Sequence, residues 1–335
     1  MRPRLHVLVP FWGVAGGVIK VLDYAEHGLH AGFDVTLWGP GEPSTQSTLS
    51  TLPVFVRLRE AKVDRRDLAA FGDLVVGEQD RVLFTEPGHA SFVDELGVSG
   101  GRVIHLVQGT RHATPTFNDG LHYRILHRRF VRIAVTGQVH EAIAPHVHPA
   151  FPLHLVVEGH DIDFFAGDRY FDRSAGPVRV LYNTWKSDLG DRVAATVDDP
   201  SIVFTAIRDE TSWSQLRNLY LNADIFIGAP GPEEGFYLPG LEALAARCAL
   251  VMSLVGGNRA YGEPGINMVS CPFDDAAHHG ETITELAKDT ARRAELTAAG
   301  VVTAQRFRIQ RERAEVVKIL LDPLGNYDES RPITP

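Results

Sequence analysis

Cysteine is almost absent from this chain. It occurs only at Cys248 and Cys271 among 335 residues, and the two do not form a CxxC pair. A disulfide framework or a cysteine-based zinc site needs more cysteines at closer spacing, so we exclude both. We therefore expect a protein of a reducing compartment, the cytoplasm.

Long apolar runs are also lacking. No stretch of about twenty apolar residues occurs, so we predict no membrane-spanning helix. The first residues, MRPRLHVLVPFWGVAGGVI, are similar to a signal peptide, but His6, Pro10 and Gly13 interrupt the apolar run and no small-residue cleavage site follows. We interpret this segment as a buried strand, a glycine-rich loop and a helix.

Positive charge is in deficit. The chain has 33 lysines and arginines against 42 aspartates and glutamates, a formal charge of −9. Because this balance repels nucleic acid, we exclude nucleic acid as a partner, and local groups must hold any anionic ligand. A chain of this length has room for two domains.

Short apolar runs alternate with helical patterns, which is typical of parallel sheets covered on both faces. The alternation loosens over residues 144–177, so we predict two α/β domains joined near residue 160. The predicted strands are Leu5–Val9, Val35–Trp38, Val82–Thr85, Val103–Val107, Ile133–Val135, Val178–Tyr182, Ile202–Thr205, Ile225–Gly228 and Ala249–Ser253. The predicted helices include Gly17–His30, Asp188–Val197, Ser214–Asn222, Glu281–Ala299 and Gln305–Leu321.

The loop WGVAGGVIK follows the first predicted strand. In open parallel sheets, ligands bind at the carboxyl ends of strands. Gly13, Gly16 and Gly17 allow a ligand to approach the backbone closely, where free N–H groups favour an anion. The spacing does not fit the GxGxxG dinucleotide fingerprint. A tight turn without a ligand is an equal alternative.

Residues 229–246, APGPEEGFYLPGLEALAA, contain a second candidate loop. Pro239 suits the first turn of a helix, and Gly235 can adopt the conformation that a tight loop needs. Glu234 then lies in the loop and Glu242 in the helix, whose N-terminus favours an anion. The alternative is an ordinary helix that Glu234 caps, with Glu242 on a solvated face.

The segment EGFYLPGLEALAARCALVMSLVGG resembles the E-x7-E signature of retaining glycosyltransferases of family 4. Four further segments are similar to parts of that family in the same order along the chain. They are VLVPFWGVAGGVIKVLDYAEHGLHAGFDVTLWGPG, LHLVVEGHDIDFF, SQLRNLYLNADIFIGAP and YGEPGINMVSCPFDDA. The resemblance therefore covers most of the chain.

This resemblance implies the GT-B fold, which has two Rossmann-like α/β domains with parallel sheets facing a central cleft. Residues 1–158 would form the acceptor-side domain, joined by the C-terminal helix of residues 305–335. Residues 159–304 would form the nucleotide-sugar domain. Few residues separate Lys186 from the strand at Ile202, so we expect this domain to be shortened by a β–α unit.

The activity implied by the resemblance is retaining transfer of a sugar from a UDP-, GDP- or TDP-sugar to an acceptor hydroxyl, in the synthesis of a glycan or a glycosylated metabolite. No metal or other cofactor is implied, because cations and helix dipoles of the fold would stabilise the leaving diphosphate. No dedicated catalytic base is implied either, because the diphosphate itself helps to take the acceptor proton. By position, Glu234 would lie against the donor sugar and Glu242 would bind the ribose. The residues implied at the donor sugar or phosphate are Gly16, Gly17, Gly235, Phe236, Tyr237 and Leu238.

The chain departs from the family at two implied site positions. A lysine and an arginine after the first strand of the second domain usually neutralise the diphosphate. Lys186 supplies the lysine, but Asn183 or Thr184 replaces the arginine. Gln108 stands where many relatives place a histidine near the donor sugar, and glutamine cannot exchange a proton near neutral pH. Candidates for the missing cation are Arg208, Arg111 and Arg259.

These departures favour an alternative function, that of a catalytically weak GT-B subunit that binds or activates a partner glycosyltransferase. The retained glutamates, the Gly-Gly loop and Lys186 favour activity. A GT-B epimerase that cleaves the same bond without an acceptor is a third option.

Two further polar segments have open interpretations. Arg124, Arg128 and Arg132 have i, i+4 spacing, which predicts one face of a helix. We interpret that face as solvated, with contact to an anionic acceptor or a membrane surface as the alternative. Arg111 and His112 follow Gln108 on the same loop and are candidates to face the acceptor. For all three residues, a polar surface loop without a role is an equal alternative.

Two other motifs are interpreted as chance. His140, His146 and His148 suggest a metal site, but prolines break the segment and no cysteine or acid cluster accompanies it. GVSGG, residues 97–101, fits the nucleophile-elbow pattern but precedes a strand, whereas an elbow follows one.

Overall fold

The computed structural model describes residues 2–42, 47–98, 100–167 and 176–325. The strands are β1 Arg4–Leu8, β2 Asp34–Gly39, β3 Asp64–Asp67, β4 Arg81–Phe84, β5 Gly100–Val107, β6 Phe130–Ala134, β7 Leu153–Leu155, β8 Val178–Asn183, β9 Ile202–Ile207, β10 Ile225–Gly228, β11 Ala249–Met252 and β12 Met268–Ser270. The helices are α1 Gly16–His30, α2 Pro53–Glu60, α3 Ala90–Glu95, α4 Leu121–Arg124, α5 Gly137–Ile143, α6 Ile162–Phe165, α7 Leu189–Thr196, α8 Trp213–Leu221, α9 Leu238–Ala245, α10 Ala276–Lys288, α11 Thr290–Ala304 and α12 Ile309–Leu321.

The chain divides into two compact units. The first unit is Met1–Glu158 with Gln310–Pro335, and the second is Gly159–Ile309. Within the described ranges, the helices are too short or too polar to cross a membrane. Ser99 of the GVSGG motif and residues 326–335 of the predicted C-terminal helix lie outside the described residues.

The first unit is built on a parallel sheet of seven strands in the order β3-β2-β1-β4-β5-β6-β7. The middle strands are apolar and buried on both faces, as in the adjacent Val7 and Leu8 of β1. The chain runs outward from β1 to β3 and then returns to β4 on the other side of β1. The carboxyl ends of β1 and β4 therefore form a topological switch point, where open α/β sheets bind ligands.

The second unit has a parallel sheet of five strands in the order β12-β11-β10-β8-β9. Its core includes Val180 of β8, Ile225 of β10 and Val251 of β11, all at most 1% exposed. The chain leaves β8 for β9 and returns to β10 on the other side of β8. The switch point of this sheet therefore lies at the carboxyl ends of β8 and β10.

Every predicted strand is present, and the described residues form three further strands, β3, β7 and β12. The clearest case is β3, whose sequence DRRD is exposed throughout and carries no apolar pattern. It is held by main-chain pairing to β2 at the sheet edge, and its charges protect that edge from further pairing.

Two predicted helices differ from the observed ones by more than one residue at an end. The pattern predicted as Glu281–Ala299 is two helices, because α10 ends at Lys288 and the side chain of Asp289 caps α11 by accepting from the Arg292 amide at 2.8 Å. The helix predicted from Gln305 begins at Ile309, after a short 3₁₀ turn at Gln305–Phe307.

The predicted basic helical face is wrong. Helix α4 ends at Arg124, and Arg132 lies in β6 with no exposed surface. Its guanidinium donates to the carbonyls of Phe130, Ile125 and Arg128 at 2.5–2.8 Å. Burial lowers the pKa of Arg132 to about 9. Arg132 therefore ties a loop to the sheet and is not available to a membrane or an acceptor.

Buried histidines make the stability of the first unit depend on pH. Burial lowers the pKa of His89 from its ordinary value of 6.5 to about 4. Between these values the unfolded chain binds a proton at His89 and the folded chain does not. The free energy of unfolding therefore falls as the pH decreases from 6.5 toward 4.

Replacing His89 by leucine is expected to remove this contribution. Between pH 7 and pH 5, the variant should lose about 2 kcal/mol less unfolding free energy than the wild type, because one buried titrating group is gone. Urea unfolding curves at the two pH values measure the difference. An identical pH dependence in both proteins would contradict the assignment.

Candidate functional site

Lys186 and Glu234 meet at the switch point of the second unit, because they follow the adjacent strands β8 and β10. The Lys186 ammonium donates to Oε1 of Glu234. Oε2 of Glu234 is buried and has no hydrogen-bond partner among the described residues. A buried carboxylate oxygen without a donor is costly, so this atom is well suited to accept a hydrogen bond from a ligand.

Two glycines hold the Glu234 loop in place. The Gly257 amide donates to the Glu234 carbonyl at 2.7 Å, and a Cβ on Gly257 would lie 1.8 Å from the Gly235 carbonyl oxygen. Gly256 is left-handed, with φ +53°, whereas Gly235 is not. The predicted reason for a glycine at position 235 is therefore wrong, since the special backbone conformation belongs to Gly256. Gly256 and Gly257 end the segment EGFYLPGLEALAARCALVMSLVGG, but nothing in their sequence pattern indicates this supporting contact.

The variant Gly257→Ala is expected to displace this loop. Overpacking of this kind destabilises a protein by about 1–3 kcal/mol, and the displacement should also weaken ligand binding at Glu234. Chemical unfolding measures the first effect. The matched control is Gly88→Ala, because a Cβ there meets nothing within 4 Å. Equal stability of the two variants would show that the loop tolerates a side chain.

Glu242 is buried in α9, only 3% exposed. Its Oε1 accepts from His160 Nε2 at 3.1 Å, and its Oε2 accepts from the Tyr220 hydroxyl at 2.9 Å. The interpretation as a solvated face is therefore wrong. Helix α9 has no side-chain cap, so Glu234 does not cap it either, and the prediction of Pro239 in its first turn is confirmed. Neither His160 nor Tyr220 was singled out in the sequence.

The segment from Gly235 to Leu238 leads into α9 with mixed exposure. Phe236 is half-buried, and its ring centroid lies 5.4 Å from that of Tyr261. Tyr237 is buried, and its hydroxyl accepts from the Ala229 amide at 3.1 Å and bonds the Asn183 side chain. Burial raises the pKa of Tyr237. The Tyr237 hydroxyl and Asn183 are thus occupied within the unit.

Two of the three candidate replacement cations have other partners. Arg208 makes a two-pronged ion pair with Asp191, at 2.6 and 3.0 Å, and the same carboxylate accepts from the Tyr182 hydroxyl. Arg111 belongs to the first unit, where its guanidinium lies 5.9 Å from the Phe117 ring centroid. Both contacts hold the guanidinium against groups of its own unit.

Gly17 and Gln108 come together at the carboxyl edge of the first sheet. Gln108 Nε2 donates to the Gly17 carbonyl at 3.1 Å and to Thr85 Oγ1 at 2.8 Å. These residues follow β1, β5 and β4. Helix α1 begins at Gly16 without a side-chain cap, so its first N–H groups remain available as donors. The Gln108 amide oxygen is left to accept a hydrogen bond, as from a sugar hydroxyl.

Three buried histidines of the first unit, His105, His112 and His122, form a cluster. The ring of His112 is 5.3 Å from that of His105 and 4.7 Å from that of His122. His112 is 2% exposed, so the surface-loop interpretation is wrong for it. Burial lowers the pKa of all three, that of His122 to about 4, which leaves them neutral near pH 7.

The three histidines that were interpreted as a chance grouping have different surroundings in the structure. His140 lies in α5, the His146 Nδ1 is 3.2 Å from the Tyr123 hydroxyl, and the His148 Nδ1 accepts from the Ala150 amide at 3.2 Å. In the residues that the structure describes, no three His, Cys, Asp or Glu side chains are arranged to hold a metal ion.

A cavity of about 520 Å³ opens in the first unit beside α2, β2 and β3. Arg59, Lys62 and Arg65 line it together with the apolar Phe55 and Leu58. None of the predicted site residues lines this cavity, so it is separate from the switch-point edge.

No protein-family model matches the sequence, and no curated protein matches it. The structure nevertheless resembles solved structures over nearly the whole chain.

One of these structures is HepE from Anabaena in complex with UDP and glucose, which has 12% identity and a TM-score of 0.74 and covers 95% of this chain and 99% of that chain. Sucrose-phosphate synthase from Thermosynechococcus elongatus has 16% identity and a TM-score of 0.70, and the match covers 95% of this chain and 98% of that chain. The UDP-forming α,α-trehalose-phosphate synthase from Burkholderia vietnamiensis has 13% identity and a TM-score of 0.67, and the match covers 96% of this chain and 97% of that chain. The chain therefore has the GT-B fold, and its structural neighbours are glycosyltransferases.

Proposed function

We propose that this protein is a retaining glycosyltransferase that moves a sugar from a nucleotide-diphospho-sugar to an acceptor hydroxyl without a metal. The observation that carries the proposal is the pair of Lys186 and Glu234 at the switch point of the second sheet. A cation for a phosphate and a carboxylate with one unpartnered oxygen for sugar hydroxyls lie side by side there.

The reaction breaks the bond between the anomeric carbon and the diphosphate oxygen. The acceptor oxygen bonds to the anomeric carbon on the face that the diphosphate leaves, and its proton passes to a phosphate oxygen of the leaving group. Lys186 stabilises the charge that develops on the diphosphate, and Glu234 orients the donor sugar. No protein side chain needs to act as a base, so the neutral buried histidines have no assigned step.

The remaining predicted residues have supporting roles in this proposal. Glu242, oriented by His160 and Tyr220, binds the ribose. In the first unit, the amides at Gly16 and Gly17 bind phosphate oxygens, and Gln108 accepts a hydrogen bond from a donor hydroxyl. The residues proposed to contact the donor through their backbone are Gly235, Phe236, Tyr237 and Leu238.

The first donors to test are UDP-sugars, because HepE was solved with UDP and glucose and the trehalose-phosphate synthase is UDP-forming. Purified protein is incubated with UDP-, GDP-, TDP- and ADP-glucose, with and without a panel of acceptors, and the released nucleotide is measured. We expect release from one base class, stimulated by an acceptor, and a product that keeps the donor's anomeric configuration by NMR. Inverted configuration would contradict the retaining mechanism.

The alternative function is a catalytically weak subunit that activates a partner glycosyltransferase. One observation favours it, namely that the loop after β8 supplies a single cation and Asn183 is occupied by Tyr237. In the same assay, this alternative predicts that the pure protein releases no nucleotide from the donors and that nucleotide is released only after a cell extract is added.

A further inference from the structure

The diphosphate of the proposed donor needs a second cation, and this inference rests on the proposed function. A nucleoside diphosphate leaves with at least two negative charges, whereas Lys186 supplies one positive charge. Asn183 bonds the Tyr237 hydroxyl, and Thr184 Oγ1 donates to the Ile207 carbonyl at 3.3 Å, so neither compensates. A second cationic side chain at this edge of the second sheet would balance the charge that Lys186 leaves on the diphosphate.

Loops at the carboxyl edge of the second sheet contain few cations. Lys186 follows β8, Arg208 follows β9 and Arg259 follows β11, whereas the loop from β10 to α9 has no lysine or arginine. Arg208 is paired with Asp191. Arg259 is exposed, and it makes no hydrogen bond or ion pair with any described residue. Arg259 is therefore the free cation of this edge within the described ranges.

The strand order places Arg259 beside Glu234. Strands β8, β10 and β11 are consecutive in the sheet, so Lys186 and Arg259 follow the strands on either side of the one that leads to Glu234. Arg259 lies in the 3₁₀ turn Gly256–Ala260, whose glycines pack against the backbone of the Glu234 loop.

The first residues of this turn are buried and held in place, whereas Arg259 is exposed. The side chain of Asn258, fully buried, donates to the Ser253 carbonyl at 2.7 Å and fixes the turn. Gly256 and Gly257 are buried as well, so the Arg259 side chain extends from a backbone that is fixed in place. A fixed base lowers the entropy lost when the side chain binds a ligand.

We propose that Arg259 is the second diphosphate-binding cation of this protein. Its guanidinium binds two phosphate oxygens of the donor, while Lys186 binds the same diphosphate from the other side of Glu234. The arginine missing after β8 is thus replaced by one that follows β11.

Isothermal titration of the full-length protein with UDP and with uridine tests this assignment. Arg259→Gln is expected to weaken UDP binding about 10-fold, the effect of one lost charge-assisted hydrogen-bond pair, and to leave uridine binding unchanged. Arg259→Lys should restore part of the affinity. The matched control is Arg306→Gln, which removes the same charge from an exposed arginine paired with Glu263, and it should bind UDP as the wild type does.

The outcomes separate this inference from the proposed function. If Arg259→Gln binds UDP within twofold of the wild type while Lys186→Gln binds it weakly, Arg259 is not the second cation and the proposed function stands. If the wild type binds neither UDP nor the other nucleoside diphosphates, GDP, TDP and ADP, the proposed function and the inference both fail.

Discussion

Replacing Glu234 by glutamine is expected to lower kcat/KM for sugar transfer by about 10- to 100-fold, the loss of one hydrogen bond to a charged group. The glutamine keeps the size of the side chain but removes the charge that orients the donor sugar. Because Lys186 is released from its carboxylate partner, binding of UDP itself should remain at least as tight as in the wild type. Steady-state kinetics with the active donor and a separate titration with UDP measure the two effects.

The control for this variant is the neighbouring Glu233→Gln. Glu233 is exposed and carries no proposed role, so this variant should keep wild-type kinetics. A loss of UDP affinity in Glu234→Gln, without a loss of turnover at saturation, would place Glu234 at the nucleotide and contradict its role at the sugar.

Replacing Lys20 by methionine is expected to destabilise the protein by about 3–5 kcal/mol, because it leaves buried carboxylates without a cation. Lys20 lies in the first turns of α1 and is fully buried, and its ammonium donates to Asp23 and Glu312 at 2.8 Å each. Burial alone would lower its pKa, but the two acids raise it above its ordinary value. Burial raises the pKa of the nearby Glu158 to about 8 despite Lys20.

A second substitution makes the Lys20 prediction specific. Adding Glu312→Gln to Lys20→Met removes one of the buried carboxylates that have lost their cation, so the double variant should recover part of the lost stability. The matched control is Lys318→Met on α12, whose ion pair with Glu315 is exposed and should contribute less than about 1 kcal/mol. Urea unfolding measures all three variants, and a Lys20→Met loss as small as that of the control would contradict the account.

Much of the fold could be predicted from the sequence, because buried parallel strands are continuous apolar runs. Strands β1, β4 and β10 follow this rule, whereas β3 is charged and owes its place to pairing with β2. The break between α10 and α11 was missed because their apolar spacing continues across Asp289. The basic helical face that includes Arg132 was wrong for a similar reason. Residues at i, i+4 spacing can share one face of a helix, but they can also lie in a turn and the strand that follows it.

The candidate site was only partly visible in the sequence. Glu234 and Lys186 were selected by resemblance, and the strand order explains why they meet. His160 and Tyr220, which hold Glu242, are distant in sequence and follow no shared spacing, so only the folded chain brings them to the carboxylate. The arginine candidates could not be ranked without their partners, and in the structure Arg208 is engaged by Asp191 of its own unit.

The proposed function requires that a nucleoside diphosphate binds beside Lys186 and Glu234. The most direct measurement is the melting temperature of the protein with UDP, GDP, TDP, ADP and their sugars, in the wild type and in Lys186→Gln. We expect ligands of one base class to raise the melting temperature of the wild type, since a ligand that binds only the folded state stabilises it. The shift should be much smaller in Lys186→Gln. No shift with any of these ligands, or an equal shift in both proteins, would contradict the claim.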